Sequence, residues 1–138
     1  MLRPNGKYLL VTFDRLELNP IPKAAQDAVS ALFARNPFDY MERGPFCYAD
    51  RVRIKDDLLA AGFTHVEIET IQLSSRVSSS DTAQGLVFGS PFRSEIERRD
   101  PSALDRAAEA VAHALARWDG RDAPMSAHLV TARTFIAR

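Results

Sequence analysis

The spacing of hydrophobic and polar positions changes several times along this chain, and each change marks an element. Lys7 to Phe13 (KYLLVTF) is short, apolar and β-branched and ends at Asp14, which predicts a buried strand. Just before it, Arg3-Pro4-Asn5-Gly6 reads as a β-turn, with proline fixing the second position and asparagine and glycine suiting the next two. Ala25, Val29, Leu32 and Phe33 share one helical face; Leu18-Asn19-Pro20-Ile21-Pro22 introduces that helix and Asn36-Pro37 stops it. PFDYMERGPFCYAD, rich in proline and aromatic residues, reads as an ordered loop ending in Asp50, the cap of a helix RVRIKDDLLAAGF. There Ile54, Leu58 and Ala61 point inward, Gly62 stands at the C-terminal stop and Phe63 folds back. HVEIETIQL then alternates as a half-buried strand, and its phase shift between Thr70 and Ile71 predicts a bulge or burial on both faces.

The serine-rich SSRVSSSD closes that strand and offers Ser80 or Asp81 as the cap of a helix over 82–89, broken by Gly89-Ser90-Pro91. Residues 101–118 carry the clearest helical stripe: Leu104, Ala108, Val111, Leu115 and Trp118, with Asp100 as cap, Pro101 first and Gly120 as the stop. SAHLVTARTFIAR is the last strand. A helix between the first two strands is what a parallel crossover requires. The expectation is therefore one α/β domain over 1–138, a small three-layer, partial Rossmann-like fold of about three strands. The first two strands are expected to be parallel and the last antiparallel, with a helical insert over 81–120.

Composition narrows the function classes. With 138 residues the chain is long enough for a real core, and its net charge of zero gives no general basic surface for nucleic acid. No stretch approaches the ~20 apolar residues of a membrane span. The single Cys47 excludes an internal disulfide and points to a soluble protein in a reducing, cytoplasmic setting.

No catalytic or metal residue stands out. His65 and His128 lie at strand starts, and His113 lies opposite the apolar helical face. No two histidines have ligand spacing on one helix, and there is no G-x-S-x-G elbow. Arg93 to Arg99, interleaved with Glu95 and Glu97, reads as a solvated surface. Asp14 follows the first strand at the end of the sheet where α/β proteins bind ligands, or else it serves as a turn acceptor.

The opening L-R-P-N-G-K-Y-L-L-V resembles the turn before the fifth strand of class I S-adenosylmethionine-dependent methyltransferases, with Asn5 in place of the usual first glycine. R-G-P-F-C-Y-A-D, the helix ending L-L-x-x-A-G-F, and the following V-E-I-E are similar to the region before that family's sixth strand. The closing H-L-V-T-A-R resembles its last, antiparallel strand. The resemblance covers nearly the whole chain and rests on the order and spacing of the pieces. It implies the acceptor-side half of a small-molecule methyltransferase, with Tyr40, Phe46, Cys47 and Tyr48 in a loop over an apolar, quinone-like or polyketide-like acceptor. Local packing of those aromatics stays open beside it.

The family's glycine-rich cofactor turn and ribose-binding acidic residue belong to earlier strands, and no G-x-G-x-x-G occurs among the six glycines here. The resemblance thus implies S-adenosylmethionine as cofactor while leaving its binding by this chain alone doubtful. It also implies that the strand Tyr8 to Phe13 has lost its neighbour and presents an exposed edge. A homodimer pairing those strands is expected to cover it, the alternative being a complementing N-terminal chain. Two functions follow: an acceptor-side methyltransferase part inactive by itself, or a non-catalytic dimeric ligand-binding module.

Overall fold

A computed structural model describes residues 3–135. Three strands, β1 (Lys7–Phe13), β2 (His65–Arg76) and β3 (Asp122–Arg133), form one sheet. Between β1 and β2 lie α1 (Pro20–Ala31), α2 (Tyr40–Arg43) and α3 (Arg51–Ala60). Between β2 and β3 lie α4 (Ser79–Gly89), α5 (Phe92–Glu97) and α6 (Leu104–Leu115).

The sheet order is β1-β3-β2 and both ladders are antiparallel. This corrects the expected parallel pairing of the first two strands. β1 and β2 each oppose β3, so they share a direction across it without sharing a hydrogen bond. β3 takes the centre because its buried positions Ser126, His128, Val130 and Ala132 face a layer that both neighbours help to close. A single strand's period-two pattern carries no information on which strand lies beside it. Of the bulge or two-sided burial expected in β2, the bulge is absent, since the register runs unbroken from His65↔Arg133 to Arg76↔Asp122, while Thr70 and Ile71, on opposite faces, are both half-buried. The tail of the predicted last strand, Ile136 to Arg138, lies outside the described residues.

Directly paired residues share a sheet face. Leu10, Val130 and Ile68 form one cross-strand row, and Ala132 with Val66 another, both covered by Ile54 and Leu58 of α3. Asp50 caps that helix, its Oδ1 accepting from Val52 N at 2.9 Å and Arg53 N at 3.3 Å. At the other end Phe63 N donates to Leu58 O and Gly62 N to Leu59 O, the paired bonds of a Schellman stop, with Gly62 at φ +97. A Cβ at Gly62 meets nothing within 4 Å, so only backbone strain opposes it. Gly62→Ala is expected to cost about 1 kcal/mol in urea unfolding, and an unchanged midpoint would mean the helix ends otherwise.

The opposite face lacks the third layer that the sequence led us to expect. Leu9 and Val11 are 61% and 68% exposed there, beside Thr131 and Leu129. The remaining helices instead build a separate body beyond one end of the sheet, around Val29, Phe38, Phe92, Ile96, Val111 and Leu115, which β3 joins through Ala123. α4 starts earlier than predicted, with Ser78 as its cap rather than Ser80 or Asp81. Of the run Arg93 to Arg99, read as a solvated surface, Arg93 and Arg98 are exposed, but Phe92–Glu97 is helical and the Arg99 side chain is only 9% exposed. The Arg99 guanidinium donates to Asn36 O (3.0 Å), Pro37 O (2.9 Å) and Glu95 O (2.8 Å), tying the loop after α1 to α5. Glu95 also faces Arg43 and Arg98, so the charges form a half-buried network. No helix among the described residues is long and apolar enough to cross a membrane.

Candidate functional site

Where β1 ends, its chain direction and the polar residues of β3 create a buried cluster. Asp14 N donates to Ser126 O, which keeps Asp14 in step with the sheet, and its side chain turns inward to 10% exposure. Asp14 Oδ2 accepts from the Ser126 hydroxyl at 2.7 Å and Oδ1 from Arg15 N at 2.7 Å. Asn19, just before α1, leaves the helix uncapped by its side chain and binds β3 instead. Its Nδ2 donates to Ser126 O (3.2 Å) and Arg15 O (3.1 Å), and its Oδ1 accepts from Ser126 N (3.0 Å).

One row further along the same face, Thr12, His128 and Thr70 lie side by side across the three strands. His128 is 2% exposed. Its Nε2 lies 2.9 Å from Ala49 O and 3.3 Å from Asp14 Oδ1, and its Nδ1 lies 3.0 Å from the Thr70 hydroxyl. Two oxygen acceptors around Nε2 assign the proton there, leaving Nδ1 to accept from Thr70. Burial alone pushes the Asp14 carboxyl up, but the Ser126 and Arg15 hydrogen bonds, with the electrostatic pull of His128 and Arg15, outweigh it and hold the group below the usual carboxylate range.

This cluster floors a cavity of about 510 Å³ whose walls include Arg15, Leu18, Asp50 and Arg51. Its chemistry is that of a clamp. Both imidazole nitrogens are engaged and each Asp14 oxygen already accepts a hydrogen bond, so the polar atoms of both residues serve first to hold the cluster together. What the cluster does is tie Ala49 and the start of α3 to the sheet. The chain matches no family model and no curated protein.

Two further cavities open at the same end of the sheet. One, of about 270 Å³, is walled by Phe13, Ile21, Met41, Phe46, Leu86 and Met125. Phe13 and Phe46 stack there at 4.6 Å and 24°. The other, of about 790 Å³, adjoins it at Pro124 and Met125 and includes Trp118, Leu73 and Gln72; the Trp118 Nε1 is buried without a partner.

The structure distributes the residues singled out from sequence over separate surroundings. Asp14 floors the polar cavity and Phe46 walls the apolar one. Tyr40 packs edge-on against Phe92 in the helical body, 5.6 Å between centroids. Cys47 is exposed. Tyr48 donates its hydroxyl to Asp57 Oδ2 at 2.7 Å and packs with the α3 core; that hydrogen bond to the Asp57 carboxylate holds its phenol above the usual value. His128, Ser126 and Asn19 were not among the sequence candidates. The signal that marks two of them is the step of two through Ser126, His128, Val130 and Ala132, which sets polar residues in a buried row. Among the described residues no group of three His, Cys, Asp or Glu side chains is placed to hold a metal ion.

Proposed function

We propose that this chain is the acceptor-side part of a Rossmann-like, S-adenosylmethionine-dependent small-molecule methyltransferase, with the cofactor side supplied by a complementary segment or chain. The observation that carries the reading is the sheet order, with the last strand antiparallel beside the first, as the resemblance implies for the end of that family's sheet. The cavities support it by opening at the carboxyl end of β1, the end at which open α/β sheets take ligands.

The residues present do not by themselves fit S-adenosylmethionine. Asp14 and Asp50 are the carboxylates of the polar cavity, and both already accept hydrogen bonds from this chain, the first from Ser126 and Arg15, the second from the start of α3. A ribose diol held bidentately takes both oxygens of one carboxylate, and in neither residue are both open: only Asp50 Oδ2 has no partner among the described residues. The part played by this chain is then to seat an apolar acceptor between Phe13, Phe46 and Met41. Methyl transfer draws mainly on alignment of the two reactants, so an acceptor side without a free acid or base is consistent with it.

Calorimetric titration tests both halves of the reading. The chain alone is expected to give no saturable heat with S-adenosylhomocysteine, and to bind 1-naphthol, a plain aromatic probe for the acceptor. Phe46→Ala is expected to weaken naphthol binding by about two- to tenfold, the range for losing one aromatic stack. Micromolar binding of S-adenosylhomocysteine would overturn the division of labour. Naphthol binding that ignores Phe46→Ala would overturn the acceptor site.

A further inference from the structure

Two unmet needs meet at β1. Among the described residues no strand lies beside its outer edge, so half of its backbone groups lack a ladder partner there. The face turned away from α3 is bare at the same place. Cross-strand register sets out this face in rows: Lys7, Arg133 and His65; then Leu9, Thr131 and Glu67; then Val11, Leu129 and Glu69. The result is an apolar strip over β1 and β3, bounded by acidic residues on β2 and a basic row at one end. An apolar strip rimmed by charge, with Leu9 and Val11 more than half exposed, marks a surface built to be covered.

We propose that this edge and face together dock one α/β segment, whose strand extends the sheet beyond β1 and whose helix lies over Leu9, Val11 and Leu129. It rests on the methyltransferase reading for the class of partner; the geometric case comes from the sheet. A second copy meets only one need at a time. Two β1 edges paired about a two-fold axis continue the sheet in its own plane and leave both apolar faces bare. Two copies packed face to face cover the strip and leave both edges open.

Handedness points to the same occupant. The connection from β1 through α3 to β2 joins two strands of one direction in one sheet, and such crossovers are right-handed. Strands wound in that direction place all their helices on the α3 face. The opposite face receives helices only from strands wound the other way, and in a doubly wound sheet those lie beyond the far edge of the first half. Here that edge is β1. Charge adds a constraint: Glu67 is engaged by His65 at 2.8 Å, whereas Glu69 has no ion-pair partner among the described residues. The covering helix is therefore one with an apolar stripe and a basic residue on the β2 side.

The test uses the full chain with two reporters, amide exchange at the outward N–H groups of β1 and thiol reactivity in a Cys47→Ser, Val11→Cys variant. The probe is the cofactor-binding half of a class I small-molecule methyltransferase, strands one to four with their helices, added as a separate chain. Both reporters are expected to slow by about tenfold or more when it is added. If neither slows, the proposal is overturned. If the chain alone sediments as a stable dimer in which both are already shielded, a second copy is the occupant and the proposal is likewise overturned. Shielding of both without S-adenosylhomocysteine binding by the pair keeps the docking and removes the methyltransferase reading. Binding of S-adenosylhomocysteine with edge and position 11 still open does the reverse.

Discussion

Phe92→Ala is expected to destabilise the chain by about 3–5 kcal/mol, the usual cost of removing a fully buried ring. Phe92 is 0% exposed and stands where α5 begins. Its ring meets Phe38 edge-on at 4.7 Å between centroids and Tyr40 at 5.6 Å, so one side chain joins the insert to the loop after α1. The ring leaves behind a space bounded by Phe38 and Tyr40, and Phe38 is itself held under the Arg99 guanidinium, 5.4 Å from its centroid, which limits its collapse into the gap. Against the 5–15 kcal/mol of a typical domain this is a large loss, and it corresponds to about 10–17 °C in Tm for a chain of this size. Phe92→Leu keeps most of the apolar burial and should fall between. A loss below about 1 kcal/mol for Phe92→Ala would mean that α5 is only loosely attached and the helical body is not one core.

Much of the helical packing, in that body and on the sheet, was legible from spacing alone. Ala25 with Val29, Ile54 with Leu58, and Ala108, Val111 and Leu115 all lie on buried stripes, as their steps of three and four require. Residues 92–97 were not, because a six-residue helix with an arginine or glutamate at every second place has too few apolar positions for a period to appear. Arg99 illustrates the same limit: its burial depends on three carbonyls, two of them more than sixty positions away in sequence. The placement of β3 between its neighbours is also a long-range fact, settled by which rows close over α3 rather than by anything inside one strand. At the site, Asp14 was readable because the end of a first strand is a local feature. Tyr40, Phe46, Cys47 and Tyr48 are neighbours in sequence, yet the turn at Gly44 and Pro45 sends them to different surroundings. Tyr40 and Phe46 pack on the helical body, Tyr48 on the α3 core, and Cys47 stays exposed, so the four side chains do not converge on one site.

Asp14→Asn should flatten the acid side of the stability curve. Asp14 has its carboxyl lowered from 3.8 in the folded chain, burial pushing it up and hydrogen bonds, that of Ser126 foremost, pulling it further down. The unfolded chain therefore binds a proton before the folded chain does. The resulting stability is fully present above the unfolded value and is lost as pH falls through 3.8 toward the lower folded value. At neutral pH, removing the carboxylate with Asp14→Ala leaves the Ser126 hydroxyl and Arg15 N without their partner and His128 without its nearby negative charge, a loss of about 2–4 kcal/mol. Asp14→Asn keeps the shape and some of the bonding, so it costs less at pH 7, and its disadvantage should shrink below about pH 4 as the wild-type carboxyl protonates. Ser126→Ala provides the cross-check. It removes the strongest of the bonds that lower the carboxyl, so the acid limb should flatten again although Asp14 is still there. Urea midpoints of the three chains between pH 7 and pH 2.5 decide the matter. If Asp14→Asn and wild type lose stability in parallel over the acid range, Asp14 titrates as an ordinary solvated carboxyl. The clamp that ties the end of β1 to β3 and the start of α3 would then not be closed in solution.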